Sequence, residues 1–253
     1  MSAFDLTGRR AVVTGVKRGI GYAIAEGLAA AGADIVGVSA TLDPESSAIG
    51  DRVREHGRIF EGHRVDFADR QAVTAFAEAV AGDERPVDIL VNNAGTIRRA
   101  PAAEHPLEWF DEVLEVDLTS GFVLSSILGR RMLAAGSGRI IFTASLLSFQ
   151  GGINVPGYAA AKSGVAGLIR ALSNEWAACG VTVNGIAPGY IATDNTQALQ
   201  DDPDRSQAIL ERIPAGRWGR ATDIAPAAVF LASDEAAYVS GSILPVDGGW
   251  LGR

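Results

Sequence analysis

Cysteine is nearly absent. Cys179 is the only one among 253 residues, which excludes an intrachain disulfide and a cysteine-built zinc cage. Histidine is almost as scarce, and His56, His63 and His105 stand far apart without the spacing of metal ligands, so no metal site is expected. An excess of positive charge is also missing. The formal charge is −8 and the basic residues are scattered, which argues against a nucleic-acid partner. No apolar run reaches the roughly 18 residues that suggest a membrane span. The stretch from Met1 to Arg10 lacks the apolar core of a signal peptide. A cytoplasmic protein with no membrane partner is the expectation.

What is present is core-forming material: 47% hydrophobic and 21% charged residues, the balance of a globular chain. Apolar runs predict strands at 10–14, 34–39, 58–65, 87–91, 139–143, 181–186 and 243–246. Helical patterns at 22–31, 44–56, from Asp69 onward, 106–133, around Tyr158 and at 223–232 alternate with them. Asp69 is a plausible helix N-cap. The polar segment 190–220 suits a loop with short helices. Seven strands alternating with helices, without linker or repeat, argue for one domain over 1–253. Its sheet would be parallel and doubly wound, with helices on both faces.

In such a sheet ligands bind at the carboxyl ends of the strands, so the residues following each strand carry the chemistry. After the first strand, Gly15, Gly19 and Gly21 frame Lys17, Arg18 and Ile20. Such a turn lets backbone amides approach a pyrophosphate at a helix N-terminus, although the spacing is not the commoner G-x-G-x-x-G. After the third comes Asp66-Phe67, where a carboxylate suits an adenine amine. After the fourth, N-N-A-G supplies Asn93, Ala94 and Gly95. After the sixth, Pro188-Gly189 turns the chain beside Ile191 and Thr193. The fifth strand leads to Ser145, then to Tyr158 and Lys162, four residues apart and so on one helix face. A cation beside a phenol favours the phenolate, the chemistry of a general acid/base acting on an alcohol or ketone.

T-G-x-x-x-G-I-G at 14–21, N-N-A-G at 92–95, Ser145, Y-x-x-x-K at 158–162, P-G at 188–189 and V-D-G-G-W at 246–250 together resemble the classical short-chain dehydrogenase/reductase family over nearly the whole chain. The resemblance implies a Rossmann-like three-layer α/β sandwich and hydride transfer between a nicotinamide cofactor and a secondary alcohol. Tyr158 would move the proton, Lys162 would favour the phenolate and hold the nicotinamide ribose, and Ser145 would hydrogen-bond the substrate oxygen. Pro188, Gly189, Ile191 and Thr193 would border the nicotinamide. One position departs: in E-V-D-L-T-S, Asp117 stands where the family usually has Asn. An aspartate keeps an acceptor for the lysine or its water, loses the amide donor and adds a charge, so a working relay with a shifted pH profile is expected.

NAD-preferring members often carry an acid at the end of the second strand. Here that end is Val38-Ser39-Ala40-Thr41. With Lys17 and Arg18 in the turn and the hydroxyls of Ser39 and Thr41 nearby, NADP is favoured over NAD. The stretches S-F-Q-G-G-I (148–153), N-E-W-A (174–177), A-P-G-Y-I-A-T-D-N-T-Q (187–197), R-I-P-A-G-R-W-G (212–219) and D-G-G-W-L (247–251) are similar to one branch of the family. These are the 2-deoxy-D-gluconate 3-dehydrogenases, 2-dehydro-3-deoxy-D-gluconate 5-dehydrogenases and gluconate 5-dehydrogenases. A sugar acid needs a cation for its carboxylate and polar groups for its hydroxyls. Arg98 or Arg99, with Gln150, Asn154 and Asn195, are the candidates. Segment 190–220 would be the substrate lid. A 3-oxoacyl thioester reductase is the alternative enzyme reading, and a non-catalytic nucleotide-binding member the alternative of another class. Family analogy and small-residue runs such as Ala159 to Ala161 suggest a homotetramer.

Overall fold

The computed structural model describes residues 4–253. Seven strands form one parallel sheet: β1 (Arg10–Thr14), β2 (Asp34–Ser39), β3 (Phe60–Arg64), β4 (Ile89–Asn92), β5 (Gly138–Thr143), β6 (Val181–Pro188) and β7 (Ile243–Val246). Their spatial order is β3-β2-β1-β4-β5-β6-β7, so the winding direction reverses between β1 and β4. That reversal opens a crevice at the carboxyl ends of the strands.

Both faces of the sheet are covered, which is why its strands read as continuous apolar runs. Side chains alternate between faces along each strand. Val12, Val36, Leu90, Ile140 and Val183 pack on one side against α3 (Arg70–Gly82), α5 (Ser120–Ala135) and α6 (Pro156–Trp176). Ala11, Val13, Ile35, Val91 and Ile141 pack on the other against α1 (Gly19–Ala30), α2 (Ala48–Glu55) and α9 (Ala225–Ala232). The three-layer sandwich expected from the alternation is the observed architecture.

Local chemistry sets the element ends. Asp69 caps α3, its carboxylate accepting from the N–H groups of Gln71 and Ala72. Gly136 ends α5 in the left-handed conformation at φ 68°. One feature differs from the pattern-based expectation. The helix predicted over 106–133 is α4 (Leu107–Leu114) joined to α5 by a π-helical turn at Glu115–Thr119, and such turns occur frequently at functional sites. The segment after β6 holds α7 (Gln197–Gln200) and α8 (Pro203–Arg212). Asp202 caps α8 by accepting from the Arg205 N–H, with Pro203 at the position where a missing N–H costs nothing. A small apolar cluster of Leu146, Ile209, Ile213 and Trp250 holds this segment over the carboxyl end of the sheet.

Leu90 is fully buried in the sheet centre. Leu90→Ala is expected to cost about 2–5 kcal/mol and Asp69→Ala about 1 kcal/mol, read as shifts in the urea midpoint.

Candidate active site

One cleft of about 1210 Å³ runs along the carboxyl edge of the sheet. Its wall takes in Gly15, Lys17, Arg18, Gly19, Ile20 and Gly21 after β1, Ser39 and Thr41 after β2, and Asp66 and Phe67 after β3. Asn93, Ala94 and Gly95 follow from β4, and Pro188, Gly189, Ile191 and Thr193 from β6. Ser145, Tyr158, Lys162, Asp117, Gln150 and Asn195 line the same space.

The glycine turn is shaped by close approach. A Cβ on Gly21 would overlap the Gly15 carbonyl and the Asn93 amide, and Gly15 and Gly19 hold φ of 74° and 61°. Among the described residues no side chain caps the N-terminus of α1: Arg18 occupies the cap position in extended backbone, without a side-chain hydrogen bond. The first-turn N–H groups and the positive end of the helix dipole therefore suit an anion. Thr14, which opens the motif but was given no role in it, stitches the neighbouring strand end in place. Its Oγ1 accepts from the N–H groups of Asn93 and Ala94, each at 2.8 Å. Asn93 donates to the Thr14 carbonyl and accepts from the Thr143 hydroxyl. Its amide braces three strand ends.

At the end of β2, Lys17 Nζ donates to the carbonyl and hydroxyl of Thr41 at 2.9 and 3.0 Å, and the Lys17 N–H donates to Ser39 Oγ at 3.2 Å. Arg18 pairs with Asp194 at 3.0 Å, both side chains largely exposed. An exposed pair of this kind contributes little and exchanges readily for a phosphate. The Lys17 cation and the two hydroxyls at this corner fit a 2′-phosphate, and the uncapped α1 terminus, beside Arg18, fits a pyrophosphate.

The Ser145, Tyr158 and Lys162 segment follows from β5 and α6. Ser145 Oγ accepts from the Leu147 N–H at 3.1 Å, which leaves its own proton to donate. Lys162 Nζ donates to the Thr143 carbonyl at 3.0 Å and lies 5.4 Å from the Tyr158 ring centroid. It also sits 3.1 Å from Asp117 Oδ2, the two side chains being 5% and 0% exposed. That contact is coulombic rather than a well-aligned hydrogen bond, since Oδ2 has no hydrogen-bond partner among the described residues. Asp117 Oδ1 accepts from the Thr96 N–H at 2.7 Å, and the missing side chain of Gly95 leaves room for the carboxylate. The expected lysine contact is thus a direct buried ion pair.

Burial pushes the Asp117 carboxyl above the usual carboxylate range, against the opposing pull of Lys162 and the Thr96 N–H. Burial pulls the Lys162 ammonium down, but Asp117, with a smaller share from Tyr158, outweighs it and holds the lysine above its usual range.

Two candidate substrate residues fall outside the cleft wall. Arg98 is turned away in a bidentate pair with Glu112, both contacts 2.8 Å, and lies over the Trp109 ring; its neighbour Arg99 lines the cleft instead. Asn154 takes a left-handed backbone at φ 62°, a conformation asparagine tolerates. Its carbonyl accepts from the Ala100 N–H, so it ties two loops together. Arg205, which no motif contains, lines the cleft together with Arg212 and Trp250, which the quoted stretches contain without a role.

Comparison with known proteins agrees with this geometry. A family model described as enoyl-(acyl carrier protein) reductase matches residues 15–251. A 2-dehydro-3-deoxy-D-gluconate 5-dehydrogenase of Pseudoalteromonas atlantica is 60% identical over 253 residues, the full length of both chains. The chain belongs to the short-chain dehydrogenase/reductase family. Within it, the crystal structure of an Agrobacterium tumefaciens protein described as a 2-deoxy-D-gluconate 3-dehydrogenase, with bound NADP, superposes at a TM-score of 0.93. It is 51% identical, with full coverage of both chains. The 3-oxoacyl-[acyl-carrier-protein] reductase of Escherichia coli stands further off at 43% identity, over 97% of this chain and 98% of its own.

The buried pair makes a signed prediction. The folded-state value of Lys162 is raised above the unfolded one of about 10.4. Its contribution is therefore fully present below that value and is lost as pH rises through the folded value. Asp117→Asn leaves a buried ammonium without its anion. It is expected to cost about 3 kcal/mol near neutral pH, a gap that narrows as the lysine deprotonates, measured by urea unfolding across pH. A gap constant at every pH would make Asp117 a packing residue only.

Proposed function

We propose that this chain is an NADP-linked oxidoreductase that interconverts a secondary alcohol and a ketone on a sugar acid. The observation that carries the reading is the sharing of one cleft by the glycine turn and by Ser145, Tyr158 and Lys162. The substrate class is supported by the full-length similarity to 2-dehydro-3-deoxy-D-gluconate 5-dehydrogenase. NADP is supported by the cation and hydroxyls of Lys17, Ser39 and Thr41, by Arg18, and by its presence in the related crystal structure. Asp66 and Phe67 would flank the adenine, and Gly189, Ile191 and Thr193 the nicotinamide. When bound, the nicotinamide supplies or accepts the hydride.

The remaining work falls to side chains of this protein. Tyr158 gives a proton to the ketone oxygen, or takes it from the alcohol. Lys162 favours negative charge on the Tyr158 oxygen as the proton leaves. Ser145, its lone pair engaged by the Leu147 N–H, donates to the substrate oxygen and fixes the reacting carbon. Asp117 keeps Lys162 cationic. Gln150 and Asn195 offer amides to substrate hydroxyls. In this reading the protein is cytoplasmic, and 190–220 is the lid of a single domain. The chain assembles as a homotetramer, a role for the exposed Leu107 and Phe122 on α4 and α5.

Following reduced-nicotinamide absorbance with gluconate, 2-deoxygluconate, 2-keto-3-deoxygluconate and an acetoacetyl thioester tests the reading. Turnover of a sugar acid is expected, with kcat/KM at least tenfold higher for NADP than for NAD. Arg18→Ala should raise KM for NADP about tenfold, the worth of one charge-assisted hydrogen bond. Tyr158→Phe should lower kcat by about 10²–10⁴. Turnover of the thioester alone would favour the 3-oxoacyl reductase, and silence with every substrate a binding role.

A further inference from the structure

We infer that the substrate carboxylate is received by the lid, through Arg205 and Arg212 on the cleft face of α8, above the buried indole of Trp250. This rests on the reading that the substrate is a sugar acid and goes beyond it by naming where the charged end lies.

Helix spacing supplies the first part of the argument. Arg205, Ala208, Ile209 and Arg212 stand at i, i+3, i+4 and i+7, one face of a helix, and all four line the cleft. The acidic residues of the same helix do not: Asp204 and Glu211 are absent from the cleft wall, and Glu211 accepts from Gln207 at 2.8 Å. In a chain of formal charge −8, α8 thus turns its cations inward.

Occupancy separates these two arginines from the others of the cleft. Arg18 is held by Asp194 at 3.0 Å. Arg99 donates to the Asn195 carbonyl at 3.2 Å. Among the described residues, neither Arg205 nor Arg212 has a carboxylate within ion-pair distance or a side-chain hydrogen bond.

Trp250 gives the site its shape. The Arg212 guanidinium lies 4.2 Å from its ring centroid, a cation–π contact that holds the guanidinium over the ring while its N–H donors remain for the two oxygens of a carboxylate. Trp250 is 4% exposed and lines the cleft, yet its Nε1–H is buried with no acceptor among the described residues. The indole is fixed from both sides. Asp247 accepts from the N–H groups of Gly249 and Leu251 at 2.8 and 2.9 Å. Leu146, the residue after Ser145, packs in the same cluster with Ile209 and Ile213. The chain neighbour of the serine that would hold the reacting oxygen therefore packs against the wall that would hold the carboxylate.

The test compares the sugar acid that the wild type turns over with the neutral amide of that acid. In the Arg205→Met/Arg212→Met double variant, the preference in kcat/KM for acid over amide is expected to fall about 10- to 100-fold, mostly through KM. NADPH affinity, read by fluorescence titration, reports whether the variant is folded. Should the double variant fail to fold, Arg205→Met alone suffices, because that side chain is exposed and makes no hydrogen bond; it should lower the same preference. An unchanged preference in a variant that binds NADPH overturns the inference, as does an Arg99→Met variant that abolishes the preference on its own. A wild type that turns over no sugar acid overturns instead the functional reading on which the inference rests.

Discussion

An ammonium buried in a protein interior stays charged only where other groups replace the water it has lost. Lys162 is such a group, and three partners surround it: the Asp117 carboxylate, the Thr143 carbonyl and the Tyr158 ring. Bringing the carboxylate there shapes a large part of the molecule. The long helix departs from α geometry over Glu115–Thr119, the turn that carries Asp117. Gly95 leaves out a side chain so that the carboxylate has room, and the Thr96 N–H holds its second oxygen. Gly164 on α6 does the same for Leu118 of that turn. The loop after β4, the π turn and α6 are thereby locked around one charge.

The two ends of the cleft are built differently. On the cofactor side, Thr14, Asn93 and Thr143 join neighbouring strand ends through backbone and side-chain hydrogen bonds. On the substrate side, α8 and the C-terminal turn rest on four buried apolar side chains. A region with fewer buried contacts opens at lower free energy than a sheet core. The cleft thus has one wall tied by hydrogen bonds across strand ends and another resting on a small apolar cluster.

Much of this was legible beforehand. Strands buried on both faces read as apolar runs, Asp69 sits where a cap belongs, and the spacing of Tyr158 and Lys162 places them on one helix face. Other features were not. The apolar periodicity of 106–133 accommodates a single extra residue in one turn, so the π turn left no mark. Arg98 and Arg99 are chain neighbours in a segment outside helix and sheet, where only the partner each one finds decides which faces the cleft. Glu112, fourteen positions away, claimed Arg98. The left-handed backbone of Asn154 likewise depends on the loop it meets.

What the sequence determined by itself is whatever depends on spacing and local chemistry: the order of elements, the glycine turn, the helix caps, the face shared by Tyr158 and Lys162, and the aspartate at position 117. Tertiary structure alone decided which charges meet. It made Asp117 a direct counter-ion, withdrew Arg98, and set Arg212 over an indole some forty positions further along the chain. The reason is physical. Backbone geometry repeats over a few residues and can be counted from the letters, whereas an ion pair or a stacked ring depends on the distance between groups that only the folded chain brings together.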